Sequence, residues 1–309
     1  MMKSRRNQFS ILFWSTFLWI AFSVSAEDRP FLWKIEGEKP SYLFGTIHSP
    51  DPRVSTLHPV VEAALLGSDT LFTELSFDVE SMQASMQLMI RDDDEELIEI
   101  LGDELYARLD QTLKGISPLI SAQLFEKAEI WSIFLSLSLL EHQLKYPGRA
   151  ALDVVLWNKA QQNDIERHGL ETPEEQVEGL EELSLREQIR ILDESLDLYQ
   201  EYQTQQKSPL EDLVIAYLSG DLETLGSEMQ NQVDLEDETN RKLYEFLLTK
   251  RNKRMAERIY ENMTTSPNST FFFAIGAAHF WGTDSIIEIL EMKGLDIARV
   301  EVSTALPAQ

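Results

Sequence analysis

Apolar positions follow two rhythms along this chain. Short unbroken apolar runs lie near its two ends, and a period close to that of a helix fills the middle. Residues 31–35 and 42–47 are strand-like runs. The link between them, Glu36-Gly37-Glu38-Lys39-Pro40-Ser41, is rich in turn formers and predicts a hairpin. Residues 55–66 predict a helix and 69–75 a buried strand. From about 79 to 263 the pattern is mainly helical. Leu97, Ile98, Leu101, Leu105 and Leu109 recur at helical spacing, 122–144 and 151–162 are apolar helical segments, and 183–206, 209–218 and 235–263 predict further helices. A short strand at 165–170 interrupts them. After it, Thr172, Pro173 and Glu175 stand as N-cap, first helical residue and capping-box partner. Strand character returns at 269–275, followed by a helix at about 283–293 and a last strand at 297–302.

Strands at both ends with helices between them predict an α/β fold. Its mixed central sheet is assembled from N- and C-terminal strands, with a large, mainly helical middle region. Residues 27–309 read as a single domain with a helical insertion around 79–263; no linker or solenoid-period repeat divides it.

The first residues depart from this pattern. Lys3, Arg5 and Arg6 precede an apolar stretch at 11–24, and Val24-Ser25-Ala26 follows as a cleavage site. The apolar stretch falls short of the roughly 20 residues of a membrane span. Residues 1–26 therefore predict a cleavable signal peptide, a periplasmic or secreted mature chain starting at Glu27, and no stable membrane anchor after cleavage. Ser4-Arg5-Arg6 leaves both general secretion and twin-arginine export open. There is no cysteine, which excludes disulfides, a lipidated N-terminal Cys, thiolate zinc sites and cysteine nucleophiles. A net charge of −26 argues against nucleic acid and anionic membranes as partners.

Two of the five histidines stand three residues after a glycine, in Gly45-Thr46-Ile47-His48 and Gly276-Ala277-Ala278-His279, and both motifs follow a strand-like run. Strand ends deliver side chains to the sheet edge where α/β sites gather, and neutral imidazole is a good ligand for divalent metals. Glu74, ending a third such run, brings a carboxylate. Two histidines and a carboxylate leave positions open for water and substrate, which suits metal-assisted hydrolysis by manganese, cobalt, iron or zinc. The same spacing also fits two hydrogen-bonded strand-end histidines without metal. Glu171 reads as a general base, a fourth ligand or a first-turn carboxylate. Arg251 reads as an oxyanion donor, a carboxylate clamp or part of a solvated basic face. Asp153 reads as a carboxylate orienting a ligand histidine or an exposed helix residue. His58 predicts a helix cap, His142 a solvated position, His168 no ligand role, and the acidic run 92–96 a solvated helix start. No Gly-x-Ser-x-Gly, His-Glu-x-x-His, phosphate loop or dinucleotide fingerprint is present.

Several blocks resemble the TraB/GumN/TIKI family. They are residues 42–51 (YLFGTIHSPD), 72–75 (FTEL), 168–172 (HGLET), Arg251-Asn252 with Met255-Ala256, and 273–282 (FAIGAAHFWG), in the family's order and spanning nearly the whole mature chain. The resemblance implies a fold similar to the erythromycin esterase and ChaN-like superfamily. It also implies a metal-dependent hydrolase, by likeness to TIKI a peptidase acting on peptide or protein substrates, with manganese or cobalt favoured and His48, Glu74 and His279 as ligands. The alternative it leaves is a non-catalytic peptide- or metal-binding regulatory protein of the envelope.

Overall fold

The structure, a computed structural model, describes residues 29–302; the signal peptide read at 1–26 lies outside them. The predicted hairpin forms from β1 (Leu32–Ile35) and β2 (Ser41–Thr46), paired antiparallel with Leu32 opposite Phe44. Two short helices follow, α1 (Pro52–Ser55) and α2 (Pro59–Leu66). The single helix expected at 55–66 is broken because Pro59 opens a new one, and the His58 ring caps it by accepting from the Val60 N–H. Next come β3 (Thr70–Thr73), α3 (Val79–Leu88) and α4 (Leu97–Ile116); the acidic run 92–96, read as a helix start, lies just before α4, with Glu96 as its N-cap residue.

The apolar stretch 122–144 is also broken, into a 3-10 turn (Ala122–Phe125) and α5 (Ile130–Lys145). Then follow α6 (Leu152–Gln162), β4 (Glu166–Gly169), α7 (Pro173–Glu181), α8 (Leu185–Thr204) and α9 (Pro209–Leu218). The capping box of Thr172 and Glu175 is formed, each side chain accepting from the other's backbone N–H. A helix absent from the sequence reading, α10 (Leu222–Asn231), precedes a long helical rod. That rod consists of α11 (Glu238–Tyr244), a π-helical turn (Glu245–Lys250) and α12 (Arg251–Thr265). β5 (Phe271–Gly276), a 3-10 turn (Ala277–Phe280), α13 (Ile286–Met292) and β6 (Ile297–Arg299) end the described chain.

The six strands form one mixed sheet in the order β4-β3-β5-β2-β1-β6, so both ends of the chain build it, as predicted. β4, β3, β5 and β2 run parallel, and β1 is antiparallel to both β2 and β6. Every residue of β3 and of central β5 is buried, and β5 accordingly reads as an unbroken apolar run. One core surrounds the sheet; a second lies inside the helical region, where Leu105 and Leu109 of α4 meet Trp131 of α5 and Leu192 of α8. The register sets Thr46 beside Gly276 and Thr73 beside Ala274. The carboxyl ends of three adjacent parallel strands therefore stop at one edge, and His48, Glu74 and His279 follow directly from them.

Candidate metal centre

Glycine serves each Gly-x-x-His motif differently. Gly45 lies inside β2, where a Cβ would come within 2.8 Å of Phe31 Cβ and 3.1 Å of Ala277 Cβ, so its absence lets strand and turn close together. Its carbonyl accepts from the Tyr217 hydroxyl at 2.7 Å. At Gly276 a Cβ would lie 3.0 Å from Glu74 Oε1, 3.6 Å from His279 Cδ2 and 3.9 Å from His48 Nε2. The missing methyl is space between the three candidate ligands.

Each imidazole is held through Nδ1. His48 Nδ1 donates to Asp153 Oδ2 at 2.8 Å, and Asp153 Oδ1 accepts from Thr46 Oγ1 at 2.6 Å. Asp153 is buried at the start of α6, so it orients His48 and is not an exposed helix residue. His279 Nδ1 donates to Asn252 Oδ1, whose own Nδ2 donates to the Asp284 carbonyl at 2.9 Å. Both Nε2 atoms are thereby turned to one carboxylate oxygen: Glu74 Oε1 is 4.0 Å from His48 Nε2 and 3.9 Å from His279 Nε2.

The charges around this point are strongly perturbed. The Asp153 charge raises His48 to about 9 against the opposing effect of burial. Burial drops His279 to about 3, so its ring is neutral across the physiological range. Burial alone would push Glu74 up, but the charge of Arg251, with those of the two histidines, holds it well below the usual carboxylate range. Glu74 Oε1 also accepts the Gly276 N–H at 2.6 Å and Oε2 accepts from Arg251 Nη2 at 2.5 Å. Arg251 is buried and binds Glu171 as well, Nε to Oε2 at 2.8 Å. It is a carboxylate clamp and not part of a solvated face. Glu171 has no exposed side-chain surface and meets Arg254 through its other oxygen at 3.4 Å. Burial raises its pKa while Arg251 pulls it down.

Bonds of about 2.1 Å to one ion allow two donors to stand no more than about 4.2 Å apart. The separations of 3.9 and 4.0 Å fall inside that limit. Among the described residues no group of three or more His, Asp or Glu is arranged to hold a metal ion as it stands. Two imidazoles and a carboxylate with no thiolate fit manganese, cobalt, iron or zinc.

The remaining predicted positions fall elsewhere. His58 is the helix cap described above. His168 is half exposed and shares a 2.9 Å hydrogen bond with Glu166. His142 is not solvated: it is fully buried, its Nδ1 3.0 Å from Ser49 Oγ, because its side of α5 faces the loop after His48. Asn252 and Tyr217 carried no assigned role in the sequence. The clue to Asn252 is its place on one helical face with Arg251, Met255, Ala256 and Ile259, all buried.

A cavity opens from this cluster. It is lined by His48, Glu74, Arg251 and His279 together with apolar side chains of α9, α10 and the helical rod. The π-helical turn forms part of the wall through Leu247 and Leu248 and leads directly into Arg251. Such turns gather at functional sites.

A family model described as the TraB/PrgY/gumN family matches residues 31–299. The chain is similar to a metalloprotease TIKI homolog of Nematostella vectensis, 28% identical, with 90% of this chain and 68% of that protein covered. It is 29% identical to metalloprotease TIKI1 of Danio rerio over 86% of this chain and 62% of that one. It is 28% identical to metalloprotease TIKI1 of Homo sapiens over 88% and 62%. The chain thus spans from 62% to 68% of the length of these relatives. No solved structure matches it.

Proposed function

This chain belongs to the TraB/PrgY/gumN family, and from that premise we propose that it is a metal-dependent hydrolase of peptide bonds. The observation that supports the reading most is the convergence of His48 Nε2 and His279 Nε2 on Glu74 Oε1 around the space left by Gly276. His48, His279 and Glu74 would hold a divalent ion, and manganese or cobalt is the proposed identity by family likeness. Bound there, the ion would supply Lewis acidity, polarising a scissile carbonyl and lowering the pKa of water.

The other residues prepare that site. Asp153 and Asn252 fix the two rings so that their Nε2 atoms point inward. Arg251 sets the Glu74 carboxylate and lines the cavity beside it. Glu171 does not line the cavity, and both its oxygens rest on arginines. We assign it to holding Arg251 in place and not to carrying a proton. On the strength of the N-terminal pattern alone, the work is proposed to be done in the periplasm or outside the cell, on a peptide or protein.

Calorimetric titration of manganese, cobalt, zinc and iron(II), beside cleavage of a mixed peptide pool, tests this reading. Wild type should bind at least one ion and cleave; the His48→Ala, His279→Ala double variant should do neither. Equal binding by both proteins would refute the site. Binding without cleavage would favour the alternative, a peptide- or metal-binding regulator.

A further inference from the structure

We propose that the cavity beside His48, Glu74 and His279 is a side-chain subsite, selecting peptides with a large aliphatic or aromatic residue next to the bond that is cut. The inference deepens the peptidase reading and rests on it for the cleavage, but not for the binding.

The cavity has a volume of about 460 Å³, within the range of about 300–1,000 Å³ usual for small-ligand sites. Its charged lining groups, His48, Glu74, Arg251 and His279, touch one another and therefore occupy one end. The rest of the wall is mostly aliphatic: Leu210 and Leu213 from α9, Leu225 and Met229 from α10, Leu243 and Leu247 from the rod. Two of the polar groups on that wall, Gln232 and Asn240, are engaged elsewhere. Gln232 Nε2 donates to the Pro209 carbonyl at 3.1 Å, and Asn240 Nδ2 to Glu194 at 3.0 Å. Water in such a space finds few partners, so an apolar group that displaces it gains affinity.

The wall is also fixed to the chemistry. Trp281 lines the cavity two residues after His279, and α10 lies against its indole at Gly226, where a Cβ would come within 2.1 Å of Cε2. An occupant of the apolar part is therefore held next to the histidine turn. A polar, cleavable group at one end and an apolar body at the other describe a peptide bond flanked by a large apolar side chain. Flexible leucine and methionine walls admit both branched and aromatic shapes.

The test uses peptides Ac-Ser-Gly-Xaa-Gly-Ser-NH2, with Xaa as Ala, Leu, Phe, Asp or Lys, and octanoate as a fatty-acyl probe. Binding to the metal-free full chain is measured by calorimetry, and cleavage is measured with manganese present. The Leu and Phe peptides should bind about tenfold or more tighter than the Ala, Asp and Lys peptides. Met229→Asp and Leu247→Asp, on separate segments, should each cut that advantage below about threefold. Met229→Trp, which fills the space without adding charge, should abolish the Phe preference. A flat series, a preference untouched by all three variants, or octanoate bound in place of the peptides overturns the proposal. A preserved binding preference with no cleavage by any peptide overturns the peptidase reading and leaves the subsite standing.

Discussion

His279 Nδ1 donates its proton to Asn252 Oδ1 across 2.5 Å, and the Asn252 amide is fixed in turn by the Asp284 carbonyl. This single contact leaves Nε2 as a bare lone pair facing Glu74. Asn252→Ala strands a buried donor, so stability should fall by about 1–3 kcal/mol. Divalent-metal affinity should fall about 10–100-fold, the usual effect of losing a partner that orients a ligand. Asn252→Asp, which still offers an acceptor, should lose less affinity. Urea unfolding and calorimetry on the two variants check both numbers.

Gly276→Ala is the sharpest test of the metal space. The backbone there, φ −49 and ψ 130, suits alanine, so the fold should tolerate the change. The added methyl would nonetheless stand 3.0 Å from Glu74 Oε1, between the ligands. Metal binding and peptide cleavage should each drop about 100-fold, as expected for a misplacement of about 1 Å, while the thermal midpoint stays near that of wild type.

Arg251 lies between two buried carboxylates, Glu74 and Glu171. Removing it leaves both charges uncompensated, so Arg251→Met should cost about 3–5 kcal/mol. Adding Glu171→Gln removes one of those charges and should restore part of the loss. A double-mutant cycle by chemical denaturation reads the coupling.

Acid should unfold the protein for an identifiable reason. Asp51 is held at about 2 because bonding from Arg53 and Tyr146 outweighs its burial, and Glu175 at about 2 mainly through Arg258. Both folded values lie below the unfolded ones, 3.8 for aspartate and 4.5 for glutamate. As pH falls, the unfolded chain therefore takes up protons first. The stability these pairs contribute is complete above about pH 4.5 and lost as pH falls towards 2. Urea midpoints at about pH 6, 4 and 3 should decline in that window, and Arg258→Met should show a shallower decline because the Glu175 share is already gone.

Central β5 was legible because it is buried on both faces, which writes it as a plain apolar run, whereas edge strand β4 alternates exposed and half-buried residues. The site was legible where two Gly-x-x-His motifs ended such runs. What stayed hidden depended on helix faces. Asn252 sits in a stretch of Lys and Arg that suggests solvent, although its spacing to Met255, Ala256 and Ile259 marks the buried side. His142 is flanked by Glu141 and Gln143, yet neighbours in sequence point to other faces of a helix, and its partner Ser49 lies 93 positions away. The helix α10 escaped notice because it is short and carries Gly226, a poor helix former needed there for contact with Trp281.

The π-helical turn at Glu245–Lys250 lets the rod carry one residue more than a regular helix of the same length. Such a turn arises from one extra residue in an α-helix, and each residue turns the helix by about 100°. The wider turn absorbs that residue, so everything after it is displaced by one position in sequence while keeping its angle. Leu243 and Leu247 can then face the cavity while Arg251 and Asn252 still reach Glu74 and His279. Deleting a single residue from this turn would leave a perfectly regular helix. Arg251 and Asn252 would keep nearly their present phase, seven and eight positions after Leu243, and the residue lost would come from the stretch that carries Leu247 and Leu248 into the cavity wall.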